Sequence, residues 1–496
     1  MALVAVVSCI ALALLSGCPA APRATLPPPA TSWRSVTVTL APRAGVTGMQ
    51  RVNFAVPVAR GRLEQPALVR VLEDRIEIPA ARRALARYPD GSVRSVQIQV
   101  DVSVAPGTTL EVRLDERPTT KELALVDVST TLDPADGTQG PKVWALLPAN
   151  WLAGSGVAGP QVTRAETKID AFENVCDYDN HTTEKFFAEQ SNRGVWLYDR
   201  GTTMYRGYVR RGDSKTLESA YRETAIYRAG ISGTGAATRI SIPGATDDLK
   251  YHYAQNLAIH YLLTGDDRFR ESAEDIATRV SALWSNFAYA GDARFWTERH
   301  AGFSLLAYVW AKIVTDDRGA ELDQRAAAHV DAYLAVQAAY PANTDPDARC
   351  FAHTAEAHGE DYGTWGCSPW MSAILAEGLD AYATEEGGER AKAARAAIVK
   401  LGKIIARDGL DRTGKPYYWM GIGDVADEVD PDDEHWGEAA YVIALAWHHG
   451  GRADASLRKT AIELLVRLHA DGVSPHTRSF NWQCRSAVAA PYYLRG

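Results

Sequence analysis

One recurring unit constrains this chain more than any other feature. WLYDRGTTMYRGYVRRGD (196–213), YHYAQNLAIHYLLTGD (251–266), RHAGFSLLAYVWAKIVTDD (299–317), SPWMSAILAEGLDAYATEEGG (368–388) and HWGEAAYVIALAWHHGG (435–451) share a plan. Each opens on aromatic, Arg or His residues, runs about four apolar turns and stops at a Gly/Asp-rich turn. A more charged amphipathic helix usually follows, as in SAEDIATRVSALW and ASLRKTAIELLVRLH. Asp199, His252, His300, Ser368 and His435 mark successive units roughly 50 to 70 residues apart, the period of a helical repeat. Helices that are apolar on nearly every side must be buried on most sides. That favours closure into an α/α toroid, apolar helices inside and charged ones outside, over an open solenoid. FNWQCRSAVAAPYYL (480–494) supplies a last inner helix, so five or six helical hairpins are expected.

The periodicity is different nearer the N-terminus. SVTVTLAP, VNFAVPVA, ALVRVL, RIEIPA, VRSVQIQVDVSV and LEVRL are short, β-branched, alternating runs separated by Gly, Pro and Asp. Within RYPDGSVRSVQIQVDV, Pro89-Asp90-Gly91 reads as the turn of a hairpin. The fold class is therefore α+β with several domains. A small all-β barrel or sandwich covers 34–117, a connecting segment 118–168, and the toroid 169–496.

Residues 1–18 are almost wholly apolar, end in Leu15-Ser16-Gly17-Cys18 and lead into a Pro-rich stretch over 19–33. This resembles a bacterial lipoprotein signal with Cys18 as the lipidated residue, followed by an extended tether. An ordinary cleaved signal peptide is the alternative, and no Lys or Arg precedes the apolar run. The run is too short to be a stable membrane span. The expected location is outside the cytoplasm, on a bacterial membrane through the anchor. Cys176, Cys350, Cys367 and Cys484 then form an even set in an oxidising compartment. Disulfides Cys350–Cys367 and Cys176–Cys484 are one reading; four buried thiols are the other. Their spacing matches no zinc motif.

A net charge of −8 and 46% hydrophobic residues exclude a disordered chain and argue against nucleic acid as a partner.

The PDGSVRSVQIQVDV segment resembles the N-terminal barrel domain of exo-acting rhamnogalacturonan lyases, with Tyr88 where that family usually has Trp. YHYAQNLAIHYLLTGD is similar to the α/α toroids of polysaccharide lyases and certain glycosidases. Those lyases are longer and carry a central β-sandwich that 118–165 cannot accommodate, so their substrate does not transfer. The resemblance implies a polysaccharide lyase, and no cofactor is expected. Toroid lyases commonly divide their chemistry among Asn or Arg, His and Tyr.

In a closed toroid the first turns of all inner helices meet at one end. The residues available there are Arg200 and Tyr205, Tyr251 and His252, Arg299 and His300, Trp365, and His435 and Trp436. Aromatic faces suit sugar rings, and Arg forks suit carboxylates. Elimination on a uronate needs a cation at the carboxylate, a base for the C5 proton and an acid for the leaving oxygen. We expect His252 as base and Tyr251 as acid, with Arg299 and Asn256 on the carboxylate and His300 as substitute base. Asn256 shares a helix face with His252. Asn180-His181 resembles the Asn-His dyad of alginate- and heparinase-like lyases and forms a second constellation. Arg200, Tyr205, Trp365, His435 and Trp436 are expected to bind substrate, Arg200 alternatively forming an internal ion pair.

His353, His358, Glu360 and Asp361 could hold a divalent cation in place of Arg, although their spacing fits no established ligand motif. Hydrolysis by two of Asp199, Glu298, Glu360, Asp361, Glu434 and Glu438 is the rival chemistry. A glycan-binding lipoprotein without chemistry is the rival class. The expected partner in every case is an acidic polysaccharide.

Overall fold

A computed structural model describes residues 33–189, 193–242, 247–284, 297–339, 344–354, 365–426, 429–431, 435–470 and 477–495. Cys18, the Pro-rich stretch up to residue 32, His358, Glu360, Asp361 and Glu434 lie outside the described residues. The alternating runs form strands β1 (Ser35–Pro42), β2 (Gly48–Pro57), β3 (Val69–Glu73), β4 (Ile76–Glu77), β5 (Ala80–Arg87), β6 (Val93–Val104), β7 (Thr109–Leu114) and β8 (Val143–Leu146). They make two antiparallel sheets, β4-β3-β7-β1-β8 and β2-β6-β5. Of the two architectures the sequence allows, this is the sandwich. β8 comes from the 118–168 segment and adds an edge strand beside β1. Gly91, at φ +84°, closes the expected hairpin between β5 and β6.

β6 shows how the sandwich meets the helices. Val93 to Val100 is buried at every position, because the strand is covered on both faces. Its polar set joins that of β2: Ser95 Oγ donates to the Leu262 carbonyl at 2.6 Å and Asn53 Nδ2 to the Thr264 carbonyl at 2.8 Å. Buried polar side chains are affordable here because each meets an unpaired carbonyl at a helix C-terminus.

Short helices α1 (Ala149–Ser155), α2 (Arg164–Thr167), α3 (Asp170–Val175) and α4 (Thr183–Glu189) precede the repeats. The pairs follow as α5 (Arg200–Arg211) with α6 (Ser214–Ala229), α7 (Ala254–Thr264) with α8 (Asp267–Leu283), and α9 (Glu298–Val314) with α10 (Gly319–Ala338). Then come α11 (Met371–Glu386) with α12 (Gly388–Asp408), α13 (Trp436–His449) with α14 (Ala455–Ala470), α15 (Thr477–Ala487) and α16 (Ala490–Tyr493). A ribbon of β9 (Ile231–Ser232) and β10 (Arg239–Ile240) sits between α6 and α7. A four-stranded sheet runs β11 (His353–Thr354), β12 (Trp365–Cys367), β13 (Tyr417–Gly421) and β14 (Val429–Pro431).

α5, α7, α9, α11, α13 and α15 each pack on the next, and α15 packs back on α5, so these helices close a ring. The α9–α11 contact requires a missing side chain: a Cβ on Gly302 would lie 2.5 Å from the backbone of Ile374 and Leu375. Glu377 of α11 stitches the interior, accepting from Arg206 of α5 (2.7 Å), Arg485 of α15 (2.5 Å) and Gln255 of α7 (3.1 Å). α3 packs against α14 on the outside. Both expected disulfides are present, Cys176–Cys484 joining α3 to α15 and Cys350–Cys367 closing a local loop.

The sandwich covers the C-terminal ends of the inner helices. Leu262, Thr264 and Gly265 end α7, and Arg94 reaches Glu385 near the end of α11 at 2.5 Å. It therefore lies at the end of the ring opposite the helix starts. Among the described residues no helix is long and apolar enough to cross a membrane.

Candidate active site at the helix starts

The first turns of the inner helices meet around Trp370, which immediately precedes α11. The Arg299 guanidinium, from the first turn of α9, lies 5.5 Å from the Trp370 ring centroid. The imidazole of His435, at the start of α13, stacks on the same indole at 4.4 Å and 10°. Trp482 of α15 packs on His435 at 4.6 Å and on Trp370 at 6.4 Å. Tyr198, just before α5, completes the group at 5.6 Å from Trp370 and 5.3 Å from Trp482.

Tyr198 is held there by an uncommon backbone. Tyr198 and Asp199 both have left-handed φ, 68° and 55°, a conformation costly for side chains other than Gly. Asp199 anchors it as the N-cap of α5, accepting from Thr202 N (3.1 Å), Thr202 Oγ1 (2.7 Å) and Asn256 Nδ2 (2.7 Å). The Tyr253 hydroxyl accepts from Tyr198 N at 3.2 Å. Burial pushes the Tyr198 phenol up to about 12, against the opposing pull of Arg299.

Arg299 differs from the other guanidiniums inside the ring. Arg200, Arg206 and Arg485 each meet a carboxylate at 2.5–2.7 Å. Arg299 is only 9% exposed, donates through Nη1 to the Tyr198 hydroxyl at 3.4 Å, and has an Nε with no acceptor. No carboxylate among the described residues pairs with it. An unneutralised buried cation is expensive unless a ligand supplies the anion. The converging helix N-termini favour the same sign of ligand.

His435 Nδ1 lies 3.2 Å from Glu438 Oε1 on the next turn. With the Nδ1 proton donated to that carboxylate, the lone pair resides on Nε2.

The other expected residues take different places. His252 is fully buried, with Nδ1 2.9 Å from the Asp248 carbonyl and Nε2 3.0 Å from Asp247 Oδ1. Its ring nitrogens thus face a backbone carbonyl and a carboxylate of the segment just before α7. Tyr251 is buried and its carbonyl accepts from the Tyr227 hydroxyl at 2.6 Å. His300 lies beside Arg299, with Nδ1 3.0 Å from Thr297 Oγ1 and Nε2 3.3 Å from Asp248 Oδ1. Burial lowers it to about 4, opposed by Asp248. Asn256 Nδ2 donates to Asp199 Oδ1 at 2.7 Å. Arg200 is an internal ion pair, with Glu223 as the partner.

The Asn180–His181 dyad is divided. Asn180 is exposed and donates to Asp177 Oδ2 at 2.5 Å, whereas His181 is buried flat against Phe480 at 4.0 Å. Tyr205 is fully buried, bonded to His260 Nδ1 at 2.7 Å, and lines a cavity of about 40 Å³ between the sandwich and the helices. Trp436 is buried beneath Arg467. Trp365 is 39% exposed on β12, close in sequence to Trp370.

The structure thus gathers Arg299 and His435 at one indole, while His252 and His300 face Asp247 and Asp248. Tyr198, Trp370 and Trp482 were not singled out from the sequence. The D-x-x-T spacing of Asp199 and Thr202 is an N-cap signal that could have placed Tyr198 just outside the helix.

His353 is fully buried 2.8 Å from Glu298. The rest of that proposed cation cluster lies outside the described residues. Glu274, Asp316 and Asp317 bring carboxylates together elsewhere, with Arg270 paired to Asp316.

No protein-family model matches this chain, and no curated protein matches it. Among solved structures it is similar to a glycosyl hydrolase family 88 protein from Bacteroides vulgatus, at 11% identity over 67% of this chain and 99% of that one, with a TM-score of 0.42. A polysaccharide lyase matches at 13% identity over 66% of this chain and 97% of that one, TM-score 0.42. An inactive α-1,6-mannanase variant of a Salegentibacter species, in complex with α-1,6-mannotetrose, matches at 12% over 66% and 99%, TM-score 0.41. Likenesses this distant carry no argument about the chemistry.

Proposed function

We propose that this protein is an exported, lipid-anchored polysaccharide lyase that cleaves a uronate-containing glycan by β-elimination at the mouth of a toroid of six hairpins. In this reading α3 takes the sixth outer position, and the chain divides into a β-domain over 34–117, a connecting segment over 118–168 and the toroid. The observation that carries the reading is Arg299, a buried guanidinium without a carboxylate, set against a tyrosine hydroxyl and an indole–imidazole stack. Two disulfides agree with an oxidising compartment. The resemblance of the Pro89–Gly91 hairpin to that of exo-acting rhamnogalacturonan lyases points to the same reaction class.

The roles follow from the geometry. Arg299 takes the substrate carboxylate and spreads its charge, which makes the C5–H acidic. His435 Nε2, in the tautomer that Glu438 orients, removes the C5 proton. The C–H electron pair becomes the C4–C5 double bond as the C4–O bond breaks, and the Tyr198 phenol gives its proton to the departing oxygen. A phenol with its pKa pushed up to about 12 keeps that proton until it is needed. Base and acid are therefore the residue types the sequence suggested, His435 in place of His252 and Tyr198, which the sequence did not single out, in place of Tyr251.

Among the described residues, the carboxylates available for paired-carboxylate hydrolysis are already engaged. Asp199 is engaged by Thr202 and Asn256, Glu298 by His353 and Ser368 N, and Glu438 by His435. A panel of uronate polysaccharides separates the readings. Ultraviolet absorbance from a new C4–C5 double bond means lyase, reducing ends without it mean hydrolase, and retention without products means a binding protein.

A further inference from the structure

A second guanidinium stands on the other side of the aromatic group. Arg478 opens α15 one turn before Trp482, and its guanidinium lies 4.4 Å from that ring centroid. It is exposed, and among the described residues it pairs with no carboxylate. Trp482 itself is 4% exposed, and its Nε1 donor has no acceptor. Tyr198 feels the charge of Arg478 as well as that of Arg299. Arg299 thus sits by Trp370 and Arg478 by Trp482, with the two indole centroids 6.4 Å apart.

A surface arginine usually keeps its rotamer freedom or meets a carboxylate. This one is laid on an indole and meets none, while the buried indole beneath it carries an unused donor. Two cations with no carboxylate partner among the described residues, each beside one of two indoles tilted 51° to one another, suit a ligand with two acidic groups on an extended chain.

We propose that Arg478 and Trp482 Nε1 form a second anionic subsite, so that the preferred glycan carries acidic groups on two neighbouring sugar units. This rests on the proposed reading of Arg299 as the first anion acceptor. The specificity it implies is for runs of acidic units over chains in which acidic and neutral units alternate.

The test is binding, which does not depend on turnover. Dissociation constants are measured for saturated oligouronates with an acid on every unit and for oligosaccharides of the same length with acids on alternate units. Wild type, Arg478→Ala, Arg478→Lys and Arg299→Met are compared, with thermal unfolding confirming that each is folded. Arg478→Ala is expected to weaken the all-acidic ligand about tenfold and the alternating ligand less than twofold, with Arg478→Lys recovering most of the loss. Equal effects of Arg478→Ala on both ligands, or none on either, would overturn the second subsite. Absence of unsaturated products in a parallel incubation, with these binding differences intact, would overturn the lyase reading and leave the subsite standing.

Discussion

Arg299 Nη1 donates to the Tyr198 hydroxyl at 3.4 Å, and no carboxylate among the described residues pairs with that guanidinium. An arginine buried against a phenol rather than a carboxylate is kept at a cost in stability, and such costs concentrate at functional sites.

Replacing Arg299 by Met should therefore separate activity from stability. Turnover should fall about a hundredfold or more, while unfolding free energy stays within about 1 kcal/mol of wild type or rises. Arg200→Met should do the reverse to the fold, because it strands Glu223 in the interior; a loss of about 3–5 kcal/mol is expected. Chemical denaturation of both variants checks the contrast.

Tyr198→Phe removes only an oxygen and keeps the ring contacts with Trp370 and Trp482. Its kcat should drop by about 10²–10⁴ with KM little changed, the pattern of a lost proton donor. Steady-state kinetics on a uronate polymer measure it, and unchanged kcat would remove Tyr198 from the chemistry.

Stability should fall on mild acidification. Burial holds His181 at about 3, and His300 and His329 at about 4, against 6.5 for the unfolded residue. Between pH 6.5 and 4 the unfolded chain binds protons that the folded chain refuses, so stability decreases as pH drops through that window. Each such histidine contributes up to about 1.4 kcal/mol per pH unit. Denaturant midpoints from pH 7 to 4 test this, and His329→Phe should flatten the slope.

The two disulfides should differ in worth. Cys176–Cys484 spans 308 residues and Cys350–Cys367 only 17. Loop-closure entropy makes loss of the long one costlier by about 2.5 kcal/mol. Thermal unfolding of the two Cys→Ser double variants gives the comparison.

Much of this architecture was legible because it depends on composition along single helices. α13, apolar all round and stopped by Gly450-Gly451, can only be an inner helix, and the alternating sequence of β6 marks it as a strand although the structure buries both of its faces over Val93–Val100. The site was harder to read because it depends on who is already engaged. His252 has the right chemistry at the right helix start, but Asp247 Oδ1 and the Asp248 carbonyl, five and four residues earlier, face its nitrogens. Arg200 and Arg299 stand at equivalent points of two repeats, and only Glu223, across from Arg200, makes one of them structural. Tyr198 depends on a left-handed dipeptide that no periodicity reports.

The most direct measurement is absorbance near the ultraviolet during incubation with uronate polysaccharides, for wild type beside Arg299→Met. The account predicts unsaturated products from at least one acidic glycan with wild type and their near-complete loss in the variant. No such product from any uronate polymer, or equal product from both proteins, would contradict it.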